Sequence, residues 1–370
     1  MSALEDETLP EMPPAWVLAG GRAERARRLG QILGRPTPHA KALADAIRNV
    51  ARRHFDLQVM PLVASHWPAV LGTPFMDKLR IGACDLYAVA PYTALFCGQQ
   101  PPRAVRAFIG LGDLLPLTDA AFSRLAGILM MGLGRAALQR THRQIATVAA
   151  FIVVVDHVLD HCMTEPPAAR GRHLAAIIRG DATPESDALR LVAALSRAMS
   201  ADLGPGQAPV FAAAMEKVFA WLDAEVRALS GLPDPGGEGH RRAGVEGTIA
   251  GLLFPIGDRA GPAAHAWMNE VSMFVQMVDD VLDIERDIFD GRPTPATAGR
   301  WTLDAVEAAW HRTRGGLDAL VRVSAPGLRA FPGRMVAVYD LMMVELVAAM
   351  IARPGDGLDE ASAPQGGAPC

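Results

Sequence analysis

The stretch Gln276–Pro293, QMVDDVLDIERDIFDGRP, decides how this chain is read. It closes a long apolar run and carries Asp279, Asp280, Asp283, Glu285, Asp287 and Asp290; no other part of the chain is so acidic. Positions 279, 283 and 287 step by four. At about 100° per residue, each step turns a helix by only about 40° net, so three carboxylates line one face. Like charges stacked this way repel and weaken the helix, unless a cation sits between them. Hard divalent ions such as Mg²⁺ take carboxylate oxygens, keep several waters and bind substrate phosphates. A solvated acidic face is the plain alternative. Against it, Phe274, Val275, Met277, Val278, Val281, Leu282 and Ile284 interleave with the acids. A helix apolar over most of its circumference predicts burial, and buried carboxylates need partners or metals.

Working outward, the 370 residues are 50% hydrophobic with a net charge of −4. That length supports a large core. The near-balanced charge argues against a nucleic-acid binder, which would carry a basic face. Ala, Leu, Val and Met are abundant and strand-type runs are scarce, so the expected class is all-α. The cysteines Cys84, Cys97, Cys162 and Cys370 show no CxxC pair or zinc spacing and read as reduced thiols of a cytoplasmic protein. The acidic, Pro-containing start is unlike a signal or transit peptide. The apolar run Ile145–Val155 is about half of the ~20 residues a bilayer span needs and reads as a buried core helix, so no transmembrane segment is expected.

Punctuation by Pro and Gly predicts about a dozen helices around one core. They fall near Thr37–His54, Leu57–Val70, Pro74–Ala90, Asp119–Leu138, His142–Cys162, Ala168–Ile178, Pro184–Ser200, Gln207–Leu229, Arg241–Arg259, Pro262–Phe289, Leu303–Val323 and Pro332–Ala352. The expected layout is a disordered segment 1–14, one all-α domain over 15–353, and a Gly/Pro-rich disordered tail 354–370. There is no repeat of fixed period.

A second acidic site lies upstream in Phe151–Glu165, FIVVVDHVLDHCMTE. Asp156 and Asp160 are again four apart at the C-terminal end of an apolar helix. A helix C-terminus disfavours anions, yet two helices both place Asp pairs there. For Asp156 and Asp160 alone, a helix emerging into solvent is an equal explanation. Facing each other across a bundle, the two helices would gather five carboxylates, suited to several Mg²⁺ ions and a diphosphate.

VVDHVLDH and VQMVDDVLDIERD resemble the two Asp-rich motifs of the isoprenoid synthase fold. Asp279-Asp280-Val281-Leu282-Asp283 matches DDxxD in full, with Gln276 ahead of it as trans-prenyl diphosphate synthases often have. Asp156-His157-Val158-Leu159-Asp160 matches at its first and fifth positions, with His157 at the second. The resemblance covers about thirty residues. It implies a helical bundle with a central apolar cavity, Mg²⁺ as a cluster of three ions, and metal roles for Asp156, Asp160 and Asp279, extended by the four-residue step to Asp283 and Asp287. The catalytic set it implies is Asp156, Asp160, Asp279 and Asp283. Arg170 and Arg172, where prenyl synthases carry an Arg pair, together with Arg286 and Arg292 are the candidate diphosphate donors; Arg is suited to bidentate phosphate binding. Each of the four also reads as an ordinary surface arginine.

The reaction type rests on what is present and what is missing. Chain-elongating prenyl synthases carry a Gly-Gly-Lys-Arg-type motif shortly before the first Asp motif and a Lys-Thr motif between the two. Here Ala19-Gly20-Gly21-Arg22 lies far too early, and Glu246-Gly247-Thr248 lacks the lysine. The NSE triad and C-terminal Arg-Tyr pair of typical terpene cyclases are also missing. The D-x-x-x-D-x-x-x-D spacing of Asp279, Asp283 and Asp287, and the segment from Val59 through Trp67 to Arg80, are similar to the large bacterial terpene synthases. The expectation is a class I terpene synthase that ionises a linear prenyl diphosphate and cyclises or quenches the cation to a terpene hydrocarbon or alcohol. The alternative is a prenyltransferase joining two prenyl units, head-to-tail or head-to-head. A non-catalytic binding protein is disfavoured by the intact second motif. Phe151, Val155, Met273, Phe274 and Met277 would shield a carbocation from water, or simply pack the core. The expected partner is a prenyl diphosphate, with no nucleic acid; a homodimer is left open.

Overall fold

The computed structural model describes residues 21–35, 48–93, 139–201, 203–229, 252, 262–289, 294–324 and 331–352. Among these every regular element is a helix and there is no strand, as the composition predicts. In chain order they are α1 (Gly21–Leu33), helical residues 48–54 leading through a π-turn (Phe55–Val59) into α2 (Met60–His66), α3 (Pro74–Thr93) and α4 (Gln139–His157). A second π-turn (Val158–Cys162) ends α4, and α5 (Pro167–Arg179), α6 (Asp187–Ala201) and α7 (Ala208–Leu229) follow. The last group is α8 (Pro262–Leu282), α9 (Ile284–Phe289), α10 (Leu303–Ser324) and α11 (Phe331–Ala352).

The bundle has two halves. In one, α4 packs between α3 and α6, with α2, α5 and α7 around them. In the other, α8 packs on α10, α11 and α1. Helix α11 also lies against α3, and Arg48 pins that seam by pairing with Asp85 of α3 at 3.3 Å and with Glu345 of α11. The acid-bearing helices α4 and α8 therefore belong to different halves.

Two glycines set how closely helices approach. A Cβ on Gly316 of α10 would sit 3.0 Å from Trp267 Cδ1, and one on Gly82 of α3 would sit 3.2 Å from Val153 Cγ2. Without side chains there, α8 and α10, and α3 and α4, come together at full packing density. Trp267 in turn donates its indole N–H to the Thr313 carbonyl at 2.8 Å. The α8–α10–α11 core is aromatic: Phe274 tilts against Trp310 and Trp310 stacks on Tyr339, each at 5.5 Å, with Trp267 edge-on to Tyr339. Such pairs add about 0.5–1.5 kcal/mol each beyond their burial. Phe151, Val155, Phe274 and Met277 are buried with the rest of this core.

Three differences from the sequence reading matter for the site. The helix expected from Thr37 lies outside the described residues apart from its 48–54 end; α1 precedes it. The single helix expected over Pro262–Phe289 is bent at Asp283 into α8 and α9. The acids keep their own ladder bonds, Asp283 N–H to the Asp279 carbonyl at 3.0 Å and Asp287 N–H to the Asp283 carbonyl at 2.9 Å; the break falls between them, where the Val281 carbonyl accepts from the Arg25 side chain at 2.8 Å. Finally, α4 passes at Val158 into a π-turn that carries Asp160, a geometry frequent at functional sites. The expected helices Asp119–Leu138 and Arg241–Arg259 lie outside the described residues, save that Leu252 is helical and buried, as do segments 1–14 and 354–370. Among the described residues one helix, Arg143–Cys162, is long and apolar enough to cross a membrane, and it is mostly buried inside the bundle.

Candidate active site

The first acid pair ends α4. The π-turn keeps Asp156 and Asp160 on one side, and both are exposed. Their position is set by the residue between them. His157 stacks on Phe75 with centroids 3.7 Å apart, and Trp67 tilts against the same imidazole at 6.2 Å. Trp67 and Phe75 flank the start of α3, so the end of α4 is held against the α2–α3 corner. Neither ring nitrogen of His157 has a hydrogen-bond partner among the described residues. Burial, with the neighbouring His161 and Lys78, pushes its pKa down to about 4. His157 is a neutral packing group, pointed away from the side its two aspartates share.

Lys78 on α3 stands 4.0 Å from Asp156 and is a cation beside the first acid pair that sequence reasoning left unassigned. Arg170 behaves differently from the expected diphosphate donor. Its Nε donates to the Glu165 carbonyl at 2.9 Å and its Nη1 to the Leu159 carbonyl at 3.5 Å, so it turns back to hold the end of the π-turn. Arg172 is exposed and Arg286 half-buried. Arg292 lies outside the described residues.

The second acid set does not point one way. Asp279 is half-buried. Asp280 is 4% exposed and accepts from Gln276 Nε2 at 2.5 Å, so the glutamine ahead of the motif orients its second aspartate inward. Asp283 accepts from Arg22 at 2.7 Å, and Asp287, one turn on, is buried. Arg25 reaches the same place from α1, donating Nε to Val281 and pairing with Glu285. Arg25 is 3% exposed. Part of the charge balance sought from a metal thus comes from two arginines of the first described helix.

These arginines were missed for an identifiable reason. As a family motif, Ala19-Gly20-Gly21-Arg22 reads only as misplaced. The usable signal was the register: Arg22, Arg25, Leu29 and Leu33 recur at helical spacing, which puts arginine on the face that buries Leu29 and Leu33. A basic residue in an apolar stripe requires an acidic partner elsewhere.

Among the described residues no three His, Cys, Asp or Glu side chains converge as a metal site. Asp156 and Asp160 stand at the end of α4, and Asp279, Asp283 and Asp287 run along the end of α8, the bend and α9. Comparison with protein-family models, curated proteins and solved structures gives no match, so the functional reading stands on these residues alone.

Proposed function

We propose that the protein is a class I terpene synthase with the isoprenoid synthase fold, ionising a prenyl diphosphate with Mg²⁺ and converting the cation to a hydrocarbon or alcohol. The observation that carries this reading is the repeated device: two core helices, α4 and α8, each ending in aspartates four apart, where a helix terminus alone would disfavour them. The isoprenoid fold within the all-α class is part of the same proposal.

The donor set fits Mg²⁺ unequally. Asp156 and Asp160 offer exposed carboxylates and Asp279 a half-buried one, all hard oxygen donors. Asp283 is engaged by Arg22 and Asp287 is buried, so these two fit less directly. Bound Mg²⁺ would neutralise diphosphate charge and stabilise it as it leaves. The chain's own residues do the rest. Lys78, 4.0 Å from Asp156, with Arg172 of α5 and Arg286 beside the second acid set, would orient diphosphate oxygens. His157, being neutral and packed away, neither coordinates nor donates charge. Apolar side chains on the flanking helices would keep water from the cation.

Incubation with C10–C25 prenyl diphosphates, with Mg²⁺ and with excess chelator, tests the proposal. Metal-dependent release of diphosphate together with an extractable terpene supports it. No turnover of any chain length, with the protein folded, rejects it.

A further inference from the structure

Helix α1 meets the acidic segment with two arginines that make the same pair of bonds. Arg25 donates Nε to the Val281 carbonyl, in the last turn of α8, at 2.8 Å and pairs with Glu285 on α9. Arg22 donates Nη2 to the Met350 carbonyl, in the last turn of α11, at 3.0 Å and Nη1 to Asp283 Oδ1 at 2.7 Å. Each guanidinium joins a carbonyl at a helix end, where the helix runs out of N–H groups of its own, to a carboxylate at the bend. The backbone of Asp283 carries that grip in both directions. Its N–H donates to the Asp279 carbonyl at 3.0 Å, and its carbonyl accepts from the Asp287 N–H at 2.9 Å.

We infer that Asp283, which closes the DDxxD pattern, is an anchor for α1 and not a metal ligand, and that Arg22 and Asp283 act as one unit that positions Asp279. This rests on the site reading above and gives one of its residues a different part. A ligand role would be costly. A divalent ion on Asp283 would stand beside the Arg22 guanidinium, and like charges at that range repel. Moving Arg22 aside would also leave the carbonyl of Met350, a residue 4% exposed, without that donor. Asp279, one turn earlier, joins the unit through its own carbonyl, so the turn that Arg22 steadies is the turn that aims the Asp279 side chain. Arg22 and Asp283 are therefore positioning residues, and the segment's reach toward a diphosphate begins at Asp279.

The test is a double-mutant cycle on the full chain, read by diphosphate release from C10–C25 prenyl diphosphates with Mg²⁺ and, without substrate or metal, by amide exchange. Arg22→Gln and Asp283→Asn should each lower kcat by up to about fivefold, the scale of a partly exposed ion pair, with KM unchanged. The double variant should lose no more than either single one, where independent changes would multiply. Asp279→Asn should lose about a hundredfold or more. Amides of α1 and of the bend should exchange faster by the same factor in Arg22→Gln, Asp283→Asn and the double variant. A loss in Asp283→Asn as deep as in Asp279→Asn, with Arg22→Gln at the wild-type rate, makes Asp283 a ligand; it overturns the inference and leaves the site reading intact. Full turnover in both single variants, or multiplying losses in the double, removes the positioning unit. Unchanged exchange in Arg22→Gln overturns the anchor whatever the turnover. No release by the folded wild type rejects the site reading and the positioning role with it, while exchange still decides the anchor.

Discussion

Arg25 donates its Nε to the Val281 carbonyl at 2.8 Å, across the bend that splits the acidic segment into two helices. Its neighbour on the same helix face, Arg22, holds Asp283 from a half-exposed position. The two contacts should differ in cost. Arg25→Ala leaves the Val281 carbonyl unsatisfied, while the 42%-exposed Glu285 carboxylate returns to water, and should destabilise by about 1–3 kcal/mol, the cost of an unmade buried hydrogen bond. Arg22→Ala removes a solvent-screened pair and should cost about 1 kcal/mol or less. Urea unfolding of both variants measures this; an Arg22 effect as large as that of Arg25 would contradict the difference in burial between the two arginines.

His157 should prove dispensable for activity but not for packing. His157→Phe keeps the ring against Phe75 and Trp67 and should retain diphosphate-dependent turnover, whereas Asp156→Ala should lose it. A loss in His157→Phe as deep as that in Asp156→Ala would mean that the first motif has been misread. The same ring gives a pH signature without added metal. The unfolded imidazole takes up a proton as pH falls through 6.5, while the folded one resists until about 4. Stability is therefore lost as pH falls from about 6.5 to about 4. His157→Phe should flatten that slope, and an unchanged slope would assign it to other groups.

Gly315 and Gly316 are adjacent on α10 and should respond oppositely to alanine. A Cβ at Gly316 meets Trp267 at 3.0 Å, while one at Gly315 meets nothing within 4 Å. Gly316→Ala should cost about 1–3 kcal/mol through overpacking. Gly315→Ala should gain about 0.5–1 kcal/mol through helix propensity. Thermal melts decide it, and two changes of the same sign would show that α8 and α10 pack less closely than described.

The all-α class and the helices around Pro74, Ala168, Gln207, Leu303 and Pro332 were legible because helical periodicity and Pro or Gly punctuation are local properties. The acidic spacing at 156/160 and 279/283/287 was legible for the same reason. What local pattern does not carry is direction. Asp280 turns inward to Gln276, Asp283 turns to Arg22, and Arg170 turns back to the Leu159 and Glu165 carbonyls. The Asp280–Gln276 pair is one helical turn apart and local, whereas the other two orientations depend on a residue brought near by packing or by the bend of a helix end. The pairing of α1 with α8 joins residues more than 250 positions apart, as the separations of 256 and 261 for Arg25–Val281 and Arg22–Asp283 record. Only the arginine in an apolar register hinted at it.

Isopentenyl diphosphate should not be incorporated. The chain lacks a lysine at Glu246-Gly247-Thr248 and a basic motif just before Asp156. A second diphosphate would bring at least about two further negative charges with no evident set of donors. With an allylic diphosphate and isopentenyl diphosphate together, the product should enter an organic extract without phosphatase treatment. A longer prenyl diphosphate as main product would replace the cyclase reading with that of a prenyltransferase.

The most direct test of the central claim, that the two acid sets serve one metal-dependent ionisation, is diphosphate release from the accepted allylic substrate by the wild type, Asp156→Asn and Asp279→Asn, with Mg²⁺ and with excess chelator. The account predicts release by the wild type only with Mg²⁺, and a loss of about a hundredfold or more in each variant while the helical circular dichroism is unchanged. Full turnover in chelator, or by either variant, would contradict it.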